Sequence, residues 1–474
     1  MPPSSVVSFV CLVIATLAGT GGAGAQTSGG NRPPVAAPVK IIGVNPLPVV
    51  RSQSETVEDL LTAMIPSLML GERNVKGVAF VSVKDDRIAL RKDFGAADSD
   101  TPFAAGTLSD LVLTVGAMQQ IEQGKIHLDE DLSGLLGPSA RGMTADQLLS
   151  YQVSADQALL AQLVAKAGGE LLATYFPRRI FAPLKMTRSA VVAGNEFRTS
   201  VPDMAELMIA LLNGGAVGEG RILQPGTVAV MERTHAALNP ALPGWAYGFL
   251  EMRRNGWRAL QHDGEARELQ MRLVLVPETR FGYFLLVRGK AGAEFWRMLD
   301  DTLFDRGFAA RGGPEPGVSS ASAPTPEEAR RAAGVYQPSR DAAGQVAALK
   351  IAGQPLSVFA AEDGTLVLSG AARGVLTPKD GGYWSGEGGN LNAVLSNGRL
   401  LLSTGLYQRL PLWQRPEVYF WLGLALLLAG AGASSFRRRG KQASGPDDIL
   451  LSLGSAAGGF LLLALLMWLF APAL

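Results

Sequence analysis

The sequence predicts a mixed α/β domain whose antiparallel sheet is flanked by helices, then a small all-β domain, then two C-terminal membrane-spanning helices. Three observations carry this. Strand-like alternation at 77–95 and again at 247–289 brackets a middle rich in helical periodicity, so one sheet gathers strands from both ends of its domain. Residues 330–410 turn to short apolar runs broken by Gly-Gly, Asn-Gly and Asp-Gly, with no helical period. Two long apolar runs close the chain, with an arginine-rich loop between them.

In chain order, residues 5–19 are an apolar stretch of signal-peptide length, and the small residues that follow suit cleavage after Ala25. The opening MPPSS carries no Lys or Arg, so an uncleaved anchor is the alternative. The lone Cys11 lies in this segment, so the mature chain would contain no disulfide or thiol chemistry. Residues 26–55, with Pro33, Pro34, Pro38, Pro46 and Pro48, read as a spacer. A domain spans 57–305. It begins with a hairpin turning at Lys84–Arg87 and continues with helices at 107–123, 156–167 and 202–212. It ends in two hairpins, turning at Asn255-Gly256 and at Pro277–Arg280. A linker at 306–329 leads to the β domain at 330–410, expected as a meander or partly closed barrel.

The final segment reads as a span at 418–435, a basic loop at 436–448 and a second span at 449–470. Arg437, Arg438, Arg439 and Lys441 place that loop in the cytoplasm. Trp413, Tyr419, Trp421 and Trp468 then share the opposite interface, on the side to which the signal segment sends the bulk of the chain. The expected partner is therefore the lipid bilayer, and the expected location is the extracytoplasmic face of a bacterial inner membrane. A formal net charge of +1 with 18% charged residues excludes a globally nucleic-acid-binding chain. His127, His235 and His262 share no metal-ligand spacing, and the glycine-rich turns lack a Walker lysine, so neither metal nor cofactor is expected.

Several stretches carry a family resemblance in order: GVAFVSVKDDRIALRKDFGAAD, TPFAAGTLSDLVLTVGAMQQIEQGKIHLDEDL, MTADQLL, YFPRRIFAPLKMTRSAVV, DMAELMIALLNGGAVGEGRILQPGTVAVM and HDGEARELQMRLVLVPETRFGYFLLV. Over about 57–305 the chain resembles the serine β-lactamase and penicillin-binding-protein-like family, in particular the class C β-lactamase-related hydrolases. The resemblance implies a β-lactamase-like fold and a site built from Ser-x-x-Lys, Tyr-x-Asn and Lys-Thr-Gly or His-x-Gly. The serine attacks an acyl carbon, the lysine and tyrosine manage its proton, and two backbone N–H groups hold the oxyanion.

Set against that pattern, Thr107 stands for the serine and Asp110 for the lysine. Tyr-x-Asn is lost under either of two alignments. One places Gln152-Val153-Ser154 there; the other uses Tyr151 and leaves Val153 for the asparagine. His262-Asp263-Gly264 keeps the third motif, with the Glu265 N–H as oxyanion donor. Thr107 and Asp110 also fit a capping box, N-cap and N3 of the helix that follows. The expectation is a membrane-anchored pseudoenzyme, a binding or regulatory module at the cell envelope with an unidentified cell-wall ligand or protein partner. The alternatives are a weak esterase, amidase or peptidase using Thr107, and a structural envelope protein acting through its β domain and spans.

Overall fold

The computed structural model describes residues 57–153, 157–192, 196–308, 311, 321–338, 355–386, 391–403 and 405–411. The expected signal segment, the spacer and both membrane spans lie outside these residues. Among the described residues, no helix is long and apolar enough to cross a membrane.

Helix α1 (Val57–Gly71) leads into the hairpin β1 (Val75–Lys84) and β2 (Arg87–Gly95). Helices α2 (Ser109–Glu122), α3 (Ala145–Leu149), α4 (Gln157–Gly168) and α5 (Val201–Leu212) follow. The chain then returns to the sheet through β3 (Trp245–Ala246), β4 (Phe249–Arg254), β5 (Trp257–Ala266), β6 (Leu269–Val276) and β7 (Phe281–Gly289), and closes with α6 (Ala293–Gly307). The result is a seven-stranded sheet in the order β2-β1-β7-β6-β5-β4-β3, with β1 antiparallel to β7 along its length. The two halves of the sequence thus meet at the centre of one sheet, as expected. Asn255 and Gly256 turn the β4–β5 hairpin with φ of 53° and 77°, the left-handed pair that a two-residue turn of this twist requires.

Alternation along the central strands sorts side chains into two cores. Ala79, Val81 and Val83 of β1, with Phe284 and Leu286 of β7, face the layer containing α2, α4 and α5. Val78 and Phe80, with Tyr283, Leu285 and Val287, face α1 and α6. Helix α2 is buried on every side, including Leu111, Val112, Leu113, Val115 and Met118. Each such aliphatic side chain contributes about 1.5–3 kcal/mol through burial, which makes α2 a rigid base for whatever its first turn carries. The helical repeat Phe295, Leu299, Leu303 buries α6 on the opposite face; that helix was not among the expected ones.

The second domain is all-β with strands paired in consecutive order, the expected meander, and it closes further than a partly closed barrel. Its strands close into a complete barrel, β8 (Gly334–Pro338), β9 (Leu356–Ala360), β10 (Leu366–Gly370), β11 (Gly374–Lys379), β12 (Tyr383–Ser385), β13 (Asn392–Ser396), β14 (Arg399–Leu402) and β15 (Gly405–Arg409). Closure comes from the antiparallel pairing of β8 with β15, which leaves no open edge. The end of the expected linker is itself ordered: Pro326–Ala332 forms helix α7, started by a Thr325–Glu328 capping box.

Candidate active site

The site begins at a backbone turn. Gly106 sits at φ 53° and opens a 3₁₀ turn, Gly106–Leu108, that runs straight into α2. Leu108 is the N-cap residue of α2, in helical conformation and with no side-chain cap. The capping box expected of Thr107 and Asp110 is therefore absent. A capping side chain folds back from an extended N-cap residue, whereas Thr107 is already inside a turn. Its hydroxyl looks across to β5 instead and accepts a hydrogen bond from the Glu265 N–H at 2.9 Å.

Two glycines allow this contact. A Cβ on Gly106 would lie 2.1 Å from the Glu265 carbonyl oxygen, and one on Gly264 would lie 2.8 Å from the Leu108 Cβ. The turn and the strand pack backbone to backbone, and any side chain at either position would separate Thr107 from Glu265.

His262 is 6% exposed and lies between two carbonyls, with Nδ1 2.7 Å from the Gly248 oxygen and Nε2 3.2 Å from the Thr107 oxygen. Asp110 provides the neighbouring negative charge. Burial pushes its carboxyl up to about 6, and the attraction of His262 opposes that rise. Its Oδ1 is buried with no hydrogen-bond partner among the described residues. Tyr151, at φ 57°, completes the group. Its phenol is held well above the usual range, first by burial and then by the charge on Asp110.

Of the two alignments for the second motif, the geometry favours Tyr151. Gln152 is corrected: its amide donates to the Ser150 hydroxyl at 2.8 Å and to Asp146 at 3.3 Å, so it is engaged at the end of α3. Ser154 lies outside the described residues. The structure brings Thr107, Asp110, Tyr151, His262, Gly264 and the Glu265 N–H together.

A neighbouring cluster was not read from the sequence. The Tyr247 hydroxyl donates to Asp146 at 2.6 Å, and the His235 ring stacks on Tyr247 at 3.6 Å. Tyr247 leads into Gly248, at φ 77°, whose carbonyl holds His262. A Cβ on Gly248 would come within 3.1 Å of Thr114 on α2. The signal available was the Tyr-Gly pair opening the β4 hairpin. On the far face of β5, Asp263 is clamped by Arg272, Nε to Oδ1 and Nη2 to Oδ2, both at 2.8 Å. Arg272 also reaches Asp300 on α6 at 2.7 Å and lies 4.6 Å from the Trp296 ring centre. The middle residue of His-Asp-Gly is thereby tied to α6, which fixes the strand that presents Glu265.

The barrel forms a wall beside the site. Tyr383, Val394, Leu401 and Leu406 from its outer surface bury against Ala241, Leu242 and Trp245, and Tyr151 packs on the edge of the same cluster. Among the described residues, no group of His, Cys, Asp or Glu is placed to hold a metal ion.

The β-lactamase family model matches residues 54–308, more than half of the chain. The chain belongs to the β-lactamase family. No curated protein matches it. Solved structures similar to this member include a D-alanine carboxypeptidase AmpC from Burkholderia cenocepacia, at 16% identity and TM-score 0.45 over 52% of this chain and 98% of that one. The octameric penicillin-binding protein homologue from Pyrococcus abyssi has 15% identity and TM-score 0.46 over 72% of this chain and 94% of that one. D-amino acid amidase from Ochrobactrum anthropi SV3, complexed with L-phenylalanine amide, has 14% identity and TM-score 0.44 over 53% and 98%.

Chemically, the site holds the Thr107 hydroxyl, the Glu265 N–H that donates to it, and His262 on the facing strand. The Asp110 carboxyl stands beside them at the start of α2. A carboxylate there repels a developing oxyanion, and its conjugate acid is a weaker proton store than an ammonium group.

Proposed function

We propose that this protein is a β-lactamase-fold binding module of the cell envelope, anchored by its C-terminal spans, in which acyl transfer has been lost. The observation that carries the reading is Asp110 at the first turn of α2, a buried carboxyl beside the Thr107 hydroxyl's segment, with Tyr151 and His262 around it. Nucleophilic attack by Thr107 needs a base to take its proton and surroundings that do not oppose the oxyanion. An ionised Asp110 opposes the oxyanion. The membrane part of the reading is supported by the apolar runs 418–435 and 449–470 and the arginines between them.

One observation favours a second reading. Burial lifts Asp110 to about 6, which brings it nearer to the range of a working general base. A slow Thr107 esterase, amidase or peptidase would use it. Steady-state hydrolysis of nitrocefin and p-nitrophenyl acetate separates the two readings. The binding module turns over neither substrate faster than its Thr107→Ala variant does. Turnover that Thr107→Ala abolishes would establish the enzyme. Carbonate extraction of membranes tests the anchor: retention in the pellet is expected, and release into the supernatant would refute it.

A further inference from the structure

A cavity lies at the other domain, at one end of the barrel, with a volume of about 550 Å³. That is within the range of small-molecule sites, about 300–1,000 Å³. Its walls are the linker at Ser322 and Pro324, helix α7 at Arg331, the hairpin turn Asn397-Gly398, and Arg409 of β15. The linker is pinned in place: the Gly381 N–H donates to the Ala321 oxygen, and the Ala323 N–H donates to Asp380. The cavity is therefore a built feature of the interdomain connection.

Its chemistry is uneven. Trp384 and Tyr336 lie beneath it as buried members of the barrel core, the indole N–H donating to the Gly364 oxygen and the phenol to the Ala332 oxygen, so their polar atoms are satisfied inside the protein. The cationic groups are Arg331 and Arg409. Arg409 lies flat across Gly334, where a Cβ would stand 2.7 Å from its Nε. Two of its nitrogens donate to the carbonyls of Arg331 and Ala333, which holds the guanidinium in one orientation. The Arg331 guanidinium has no hydrogen-bond partner among the described residues. The one carboxylate in the lining, Glu328, spends Oε2 on the N–H and hydroxyl of Thr325. Two guanidinium groups face one carboxylate, Glu328, whose charge interacts with Arg331, so the balance is positive.

We propose that this cavity binds a small organic carboxylate, its charge received by Arg331 and Arg409. Planar guanidinium groups match carboxylates in a forked, paired geometry. The site is separate from the Thr107 group and independent of the function proposed above.

The test uses the full-length chain in a nonionic detergent, titrated with naphthalene-2-carboxylate and with its uncharged carboxamide, and read by ligand-observed NMR. The carboxylate is expected to bind at least about tenfold more tightly than the amide, because charge-assisted hydrogen bonds to arginine exceed neutral ones. Arg331→Gln, a change at an exposed position, should remove that preference. Ser322→Trp fills the cavity from the linker side, away from the barrel interior, and should abolish binding of both probes. The proposal is overturned if the wild-type chain binds neither probe or binds both equally. It is equally overturned if carboxylate binding is unchanged in both variants.

Discussion

Thr107 and Glu265, 158 residues apart, are joined by a hydrogen bond from the Glu265 N–H to the Thr107 hydroxyl at 2.9 Å. The Glu265 N–H is thereby occupied by the Thr107 hydroxyl. The contact depends on Gly106 and Gly264, on the grip of Arg272 on Asp263, and on the carbonyls around His262. Each of these supports can be tested separately.

Gly106→Ala should be among the most damaging single-methyl additions in the domain. It places a Cβ 2.1 Å from the Glu265 oxygen at a position with φ 53°. Overpacking plus left-handed strain amounts to about 2–4 kcal/mol of stability. Gly134→Ala, where a Cβ meets nothing within 4 Å, is the control and should be near neutral. Urea denaturation of both variants measures the difference.

Asp110→Asn should stabilise the protein at neutral pH and not in acid. The unfolded carboxyl loses its proton near 3.8, the folded one near 6. Between those values the unfolded state binds fewer protons, so stability falls as pH rises, and the loss is complete above about 6. The asparagine variant removes that loss, by an amount on the order of 1–3 kcal/mol at pH 7.5. Melting curves at pH 7.5 and pH 4 check it. Equal effects at both would show that Asp110 is not a strained buried acid.

Arg272→Met should cost about 3–5 kcal/mol, because it leaves Asp300 buried without its main counter-charge. Adding Asp300→Asn should return a substantial part of that loss, since the uncompensated charge is gone. A double-mutant cycle by chemical denaturation reads the coupling. Simple additivity would show that the clamp is two independent contacts.

Much of this architecture was legible in the sequence. The hairpin turns at Asn255-Gly256 and Pro277–Arg280 and the helices near 157–168 and 201–212 follow from turn chemistry and from 3.6-residue periodicity, which are local. The family resemblance also led to Thr107, Asp110 and His262, which the structure brings together. What failed was non-local. Thr-Leu-Ser-Asp has the composition of a capping box, but the backbone enters α2 through a 3₁₀ turn set by packing of Gly106 on Glu265, a contact from the far end of the domain. Gln152 and Tyr151 are adjacent, and only the φ of 57° at Tyr151 decides which of them turns toward Asp110. Barrel closure depends on Tyr336 to Pro338 meeting Tyr407 to Arg409, which no local pattern announces. The Asp146–Tyr247–His235 cluster escaped for the same reason, since Asp146 lies 101 positions from Tyr247.

The central proposal is that Thr107 does not act as a nucleophile. Intact mass spectrometry of the full-length protein, incubated with penicillin G and with p-nitrophenyl acetate, tests it most directly, with Thr107→Ala in parallel. The account predicts an unmodified mass for the folded wild-type chain with both reagents. A covalent adduct that appears on the wild-type chain and vanishes in Thr107→Ala would contradict it and make Asp110 the base of a rewired hydrolase.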